Sequence, residues 1–245
     1  MDARSNKYRP DVRVARISVA PRSQPVYTYT DKGDHDSWTV ARDALGNGGA
    51  RWLPVRKPDA YAAEVFATFA RSQGIQLKIG SPLASAPSGE VVASHASQAL
   101  TKILQGMLKF SNNLTAELVG MTATARLHGQ ARTLSQSARA MSAWASENLG
   151  MTGAKLVDHS GLNETSRLTA EAMAQALARV YGRGDLKPIL KDFPMRHKNG
   201  KVNGGHPVKV AAQTGTLYFV SSLAGYMSTR RGKDMAFAIF TANSG

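Results

Sequence analysis

The 245-residue chain contains no cysteine, which excludes disulfides and thiolate-held metals and fits cytoplasm or periplasm equally. No uncharged apolar run reaches the ~18 residues of a membrane-spanning helix. The opening segment, Met1 to Pro10, is charged and polar where a secretory signal needs an apolar stretch, so as written the chain carries no export address. Acid is scarce: 17 Asp+Glu stand against 31 Lys+Arg, a net charge of +14. The excess is spread, with 13 basic against 8 acidic residues over 1–80 and 10 against 3 over 181–245. Aromatics make up only 7% and do not interleave with the basic residues, so the charge reads as a solvated surface and a nucleic-acid partner rests on charge alone. The six histidines never fall at a ligand spacing, and no metal or cofactor is expected. No serine is followed three residues on by lysine.

The remaining composition, 42% apolar and 20% charged, is that of a globular protein with a sizeable core. Val12–Val19 and Val26–Thr30 predict short strands, with turns at Asp31–Asp34 and Gly46–Gly49. Lys57-Pro58-Asp59 opens a helix that carries Tyr61, Val65, Phe66 and Phe69 on one face and ends at Gly74; these aromatics read as core. Residues 80–90, rich in small residues and proline, predict a linker or surface loop. Beyond it, Leu100, Ile103, Leu104, Met107 and Leu108 form one helical stripe. Asn113 is expected to cap the next helix, with Glu117 in its first turn. A Thr133–Gln136 capping box opens a third helix, and Thr169 a fourth, ending at Gly182. Three strands follow, Val208–Phe219, Ser222–Thr229 and Met235–Ala242. The last is apolar on both faces over Met235–Phe240, which predicts helices on both sides of the sheet.

Two tripeptides 102 residues apart, Ser111-Asn112-Asn113 and Gln213-Thr214-Gly215, carry the chemical signal. A Ser-x-Asn at a helix junction and a Lys-Thr-Gly on a strand belong, with a Ser-x-x-Lys, to serine acyl-transferases that attack D-alanyl peptides and β-lactams. A serine is a weak nucleophile, so a lysine one helical turn away takes or steers its proton. Ser-Asn-Asn alone would read as a helix stop and cap, and Gln-Thr-Gly alone as a strand with a glycine bulge. Three ordered blocks reverse that reading: Met107–Glu117, Asp158-His159-Ser160-Gly161-Leu162-Asn163, and Gln213–Leu217 running into Ser222-Leu223-Ala224-Gly225-Tyr226. Thr152-Gly153-Ala154-Lys155 has nucleophile-block spacing but breaks the order, and reads as a loop.

On these blocks the chain resembles, from about Met1 to Gly245, the C-terminal part of a class C low-molecular-mass penicillin-binding protein, the D-alanyl-D-alanine carboxypeptidase/endopeptidase family. The resemblance implies an α/β chain of α+β type: a partial β-lactamase/transpeptidase-like fold, an antiparallel sheet with covering helices. Residues 1–57 would be the remnant of a β-rich accessory domain and residues 58–245 the transpeptidase-like part. It implies Ser111 as proton-relay serine, Asn113 as substrate-orienting amide, and Thr214 and Thr216 as donors to the substrate carboxylate. Gly215 would keep the strand edge open to an added strand. The Leu217 N–H would complete an oxyanion hole, and Ser160 and Gly161 would line the cleft. Peptidoglycan stem peptide or a β-lactam would be the ligand, and the periplasm the compartment. The chain departs from the family in three ways. The Ser-x-x-Lys block is missing; Gln213 is neutral where the family has lysine; and both ends read as cut, lacking two N-terminal strands and a C-terminal helix. The expectation is therefore a chain inactive alone, either completed by another chain or a second copy, or acting as a peptidoglycan-binding pseudoenzyme.

Overall fold

The computed structural model describes residues 12–85, 88–129 and 133–242; the polar segment at residues 1–11 lies outside them. Contacts divide the chain into Met1–Ala93 and Ser94–Gly245. The sequence boundary at 57/58 falls inside the first unit. The helix after that boundary is tied to the β-rich piece, because the Glu64 carboxylate accepts from the N–H groups of Arg13 at 2.7 Å and Val14 at 3.0 Å.

The first unit is built on a three-stranded sheet of β1 (Ala15–Ala20), β2 (Tyr27–Asp31) and β3 (Asp36–Ala41), with β3 central, parallel to β1 and antiparallel to β2. A short helix α1 (Arg42–Leu45) and the longer α2 (Pro58–Ser72) follow. Trp38, Val40 and Leu53 form the core, with Tyr29 and Leu45 packed against it. Asp36 is buried, and its carboxylate accepts from the Tyr29 hydroxyl at 2.9 Å and the Arg56 N–H at 3.2 Å, which satisfies a group that burial would otherwise penalise. The sequence placed Phe66 in the core; it is 68% exposed, and α2 instead buries Ala67 and Thr68.

The second unit begins with α3 (Leu100–Phe110), α4 (Asn113–His128), α5 (Leu134–Leu149) and α6 (Ala170–Tyr181). Thr133 and Thr169 cap α5 and α6 as their sequences predict, accepting from the N–H groups of Gln136 and Ala172. After a 3₁₀ turn at Lys187–Ile189 come β4 (Lys191–Phe193), β5 (Lys209–Thr216), β6 (Val220–Ser228) and β7 (Asp234–Ala242), antiparallel throughout in the order β4-β5-β6-β7. The α+β architecture expected from the sequence is thus present. Tyr226 is buried on one face of this sheet and donates from its hydroxyl to the Leu177 carbonyl of α6 at 2.7 Å. Helices were expected on both faces. The described helix that covers the sheet is α6, on the Tyr226 side; Met235 and Ile239, which alternation turns the other way, are 39% and 56% exposed.

Candidate active site

The turn between α3 and α4 is set by two neighbouring residues with different tasks. Ser111 ends α3 in the left-handed region at φ 52°, the one non-glycine residue with positive φ among those described. Asn112, not Asn113, caps α4: its Oδ1 accepts from the Thr115 N–H at 3.0 Å. Two adjacent asparagines make the choice ambiguous in sequence. Because Asn112 takes the cap, the exposed Asn113 amide is left out of it. The Gln213 side chain reaches across from β5 and donates from Nε2 to Ser111 Oγ at 3.3 Å, so the two tripeptides meet directly. An amide donor on Oγ leaves the serine hydroxyl hydrogen free to point at a reacting group, but it brings no positive charge.

β5 shows one edge to solvent where the site residues lie. Leu217, which the resemblance implies as an oxyanion donor, here gives its N–H to the Val220 carbonyl at 2.8 Å and closes the β5–β6 hairpin. Antiparallel pairs alternate between bonded and non-bonded, which makes Thr214–Leu223 and Thr216–Ser221 non-bonded pairs. The main-chain groups of Thr214 and Thr216 therefore face the outer edge. β4 covers that edge only opposite Val210–Ala212, so beyond Ala212 no described strand pairs there. Gly215 stands opposite Ser222, and a Cβ at 215 would lie 2.5 Å from Ser222 Oγ. Thr214 and Thr216 are exposed, on the sheet face opposite to Gln213, and no hydrogen bond joins their hydroxyls to Ser111 among the described residues.

The Asp158–Asn163 block is a built loop. Asp158 accepts from the N–H groups of Gly161 at 2.9 Å and Asn163 at 2.7 Å. Glu117 was placed in the first turn of α4 for the helix dipole; instead it lies in the second turn and its carboxylate grips this loop. It accepts from the N–H of His159 at 3.2 Å and of Ser160 at 3.0 Å. The His159 ring lies on Gly120, where a Cβ would come within 2.1 Å of it. Its Nδ1 meets the Met141 sulfur at 3.2 Å, and its Nε2 is hydrogen-bonded to the Ser137 hydroxyl at 2.7 Å. Ser137 is fully buried and also bonds Thr124 Oγ1 at 2.7 Å. This Ser–His pair is closed to substrate and has a thioether where a hydrolase would have a carboxylate, so it is structural. Ser160 and Gly161 make no direct hydrogen bond to Ser111 or Gln213 among the described residues.

The geometry adds residues that the sequence did not single out. Tyr218, fully exposed, and Phe219 form the tip of the hairpin just beyond Thr216, and exposed Phe110 directly precedes Ser111. Apolar side chains thus flank an unpaired strand edge with hydroxyl and amide groups at hand. Lys191, opposite Ala212, is the β4 cation nearest that edge in register, and its ammonium lies 5.3 Å from the Phe193 ring centre. Thr152 and Gly153 lie in a turn and Lys155 bridges Arg167, which agrees with the loop reading.

A family model described as the D-Ala-D-Ala carboxypeptidase 3 (S13) family matches residues 30–245. D-alanyl-D-alanine carboxypeptidase DacB of Haemophilus influenzae is 27% identical over 195 residues, which cover 76% of this chain and 41% of that protein. Carboxypeptidase DacB of Mycolicibacterium smegmatis is 25% identical over 258 residues, covering 96% of this chain and 55% of that protein. The crystal structure of penicillin binding protein 4 from Haemophilus influenzae shares the fold with a TM-score of 0.65 at 21% identity, over 94% of this chain and 55% of that chain. Each of these relatives is matched over little more than half its length, or less.

Proposed function

The chain belongs to the D-Ala-D-Ala carboxypeptidase 3 (S13) family, and from that premise we propose that it supplies the substrate-holding part of a D-alanyl-D-alanine carboxypeptidase/endopeptidase cleft and forms no acyl-serine by itself. The ligand is the D-alanyl-D-alanine end of a peptidoglycan stem peptide, or a β-lactam of the same shape, and the place of action is the periplasm where that polymer lies. The observation that carries the reading is the Gln213–Ser111 hydrogen bond at 3.3 Å, which unites blocks 102 residues apart.

In this reading the stem peptide adds as a strand along the outer edge of β5 beyond Ala212, bonding the main chain of Thr214 and Thr216. Asn113 holds the peptide group, Ser111 relays a proton to the leaving amine, and the hydroxyls of Thr214 and Thr216 meet the terminal carboxylate. The oxyanion donor from this strand is the Thr216 N–H, because the Leu217 N–H is engaged in the hairpin. Gly215 leaves the approach clear. Residues 1–245 hold no Ser-x-x-Lys and Gln213 is neutral, so in this reading these residues hold the stem peptide and do not themselves supply the acylated serine.

Two measurements on the chain test this. A fluorescent penicillin should leave no covalent band after denaturing electrophoresis, and an N-acetylated D-Ala-D-Ala peptide should bind saturably without release of D-alanine. A labelled band that survives denaturation would place a nucleophile within these residues. Failure to bind the peptide removes the cleft reading.

A further inference from the structure

Asn113, Glu117, Gly120 and Thr124 recur at i, i+4, i+7 and i+11 along α4, so they form one stripe. The Asp158–Asn163 loop and α5 lie on that stripe. Thr124 bonds the buried Ser137 of α5, Ser137 bonds the His159 ring, and the ring rests where Gly120 has no side chain. One turn nearer the N-terminus, Glu117 accepts from the main chain of His159 and Ser160. Helical side chains lean toward the helix N-terminus, which carries the Glu117 carboxylate toward the turn that bears Asn113. The loop is therefore anchored to α4 at Thr124, Gly120 and Glu117, on the stripe whose first member is Asn113.

We infer that Glu117 is a positioning residue of the cleft: by fixing the Ser160 N–H, it sets the Ser160–Gly161 wall beside the Asn113 amide and so determines how tightly a D-alanyl peptide is held. This inference rests on the reading of the cleft given above. The anchor has two independent parts. The His159–Ser137–Thr124 chain holds the loop's position along α4, and Glu117 holds the register of its main chain. A carboxylate suits the second task because two oxygens can accept from two successive N–H groups at once.

The test uses the full chain and N,N′-diacetyl-Lys-D-Ala-D-Ala as probe. Glu117→Met keeps the side-chain length and removes both acceptors, whereas Glu117→Gln keeps one. The methionine variant should bind the peptide at least tenfold more weakly, with amide hydrogen exchange at Ser160 faster by a similar factor. The glutamine variant should stay within about threefold of the wild type. A change of stability alone would not separate the two variants in affinity after both are shown folded. On the unmodified chain, the same peptide should shift the amide resonances of both Asn113 and Ser160. Peptide binding that is unchanged in Glu117→Met, or that leaves the Ser160 resonance unmoved in the wild type, overturns the role of Glu117 and leaves the cleft reading standing. A wild-type chain that binds no peptide while its Ser160 amide stays protected overturns the cleft reading and, with it, the role given to Glu117.

Discussion

At position 111 the backbone and the side chain want different residues. A left-handed φ of 52° at the end of a helix is the setting in which glycine is favoured, since a Cβ there meets the neighbouring backbone. A residue chosen only to stop α3 would be glycine; serine at this position brings a hydroxyl that Gln213 reaches. Ser111→Gly and Ser111→Ala both remove that hydroxyl, so comparing them isolates the backbone cost. We expect the glycine variant to be more stable than the alanine variant by about 1 kcal/mol in urea unfolding, although alanine is the better helix former. Equal stabilities would show that the turn carries no strain. The meeting of Ser-Asn-Asn with Gln-Thr-Gly was legible because the two motifs stand in one ordered set of three blocks. The division of labour inside Ser-Asn-Asn was not: either asparagine satisfies cap statistics, and only the fold decides that Asn112 takes the Thr115 N–H and Asn113 does not.

Elements with strong periodic patterns and cap residues, α3, α5 and α6, could be read from the sequence almost to their ends. β4 could not, because Lys-Asp-Phe has no alternation of its own and becomes a strand only by pairing with β5. Its short span matters, since where it stops is where the outer edge of β5 opens. The grip of Glu117 on the loop was hidden for the same reason, 42 and 43 residues separating the partners. A comparable long-range tie joins α6 and the 3₁₀ turn to the β6–β7 hairpin. Asp234 accepts from Lys187 Nζ at 2.5 Å and from the Tyr181 hydroxyl, and Lys187 also donates to Ser228 Oγ at 2.9 Å. The Lys187 ammonium first, then the Ser228 and Tyr181 hydroxyls, hold the Asp234 carboxyl well below the usual carboxylate range. A carboxyl that is more acidic folded than unfolded adds stability above its unfolded pKa of about 4 and loses it as the pH falls below that value. The melting temperature of Asp234→Asn should therefore lie below wild type by a constant margin from pH 7 to about pH 5. The margin should shrink on further acidification. A margin that stays constant down to pH 3 would mean that the charge of Asp234 does not contribute.

Across the whole chain, the three blocks that mark the family all fall in Ser94–Gly245, while the family match runs from residue 30 and so takes in most of the β-rich unit as well. The sequence conveyed the class of fold and the approach of Ser111 to Gln213. It overstated the covering of the sheet, since a strand apolar on both faces predicts two layers. In the described residues α6 supplies one of them, against Tyr226. On the other face Leu223, Met235, Phe237 and Ile239 share one side by register, and Ile239 is more than half exposed. Contiguous apolar surface of this kind drives association, even on a chain whose net charge of +14 opposes it. Light scattering should accordingly show association that grows with protein concentration and with salt, as screening weakens the repulsion between like-charged chains. Ile239→Lys places a charge in the middle of that face at a position already open to solvent, so it should suppress the association while leaving the melting temperature within a few degrees. Association that is indifferent to this substitution would locate the sticky surface elsewhere, the exposed Tyr218 at the hairpin tip being the next residue to exchange.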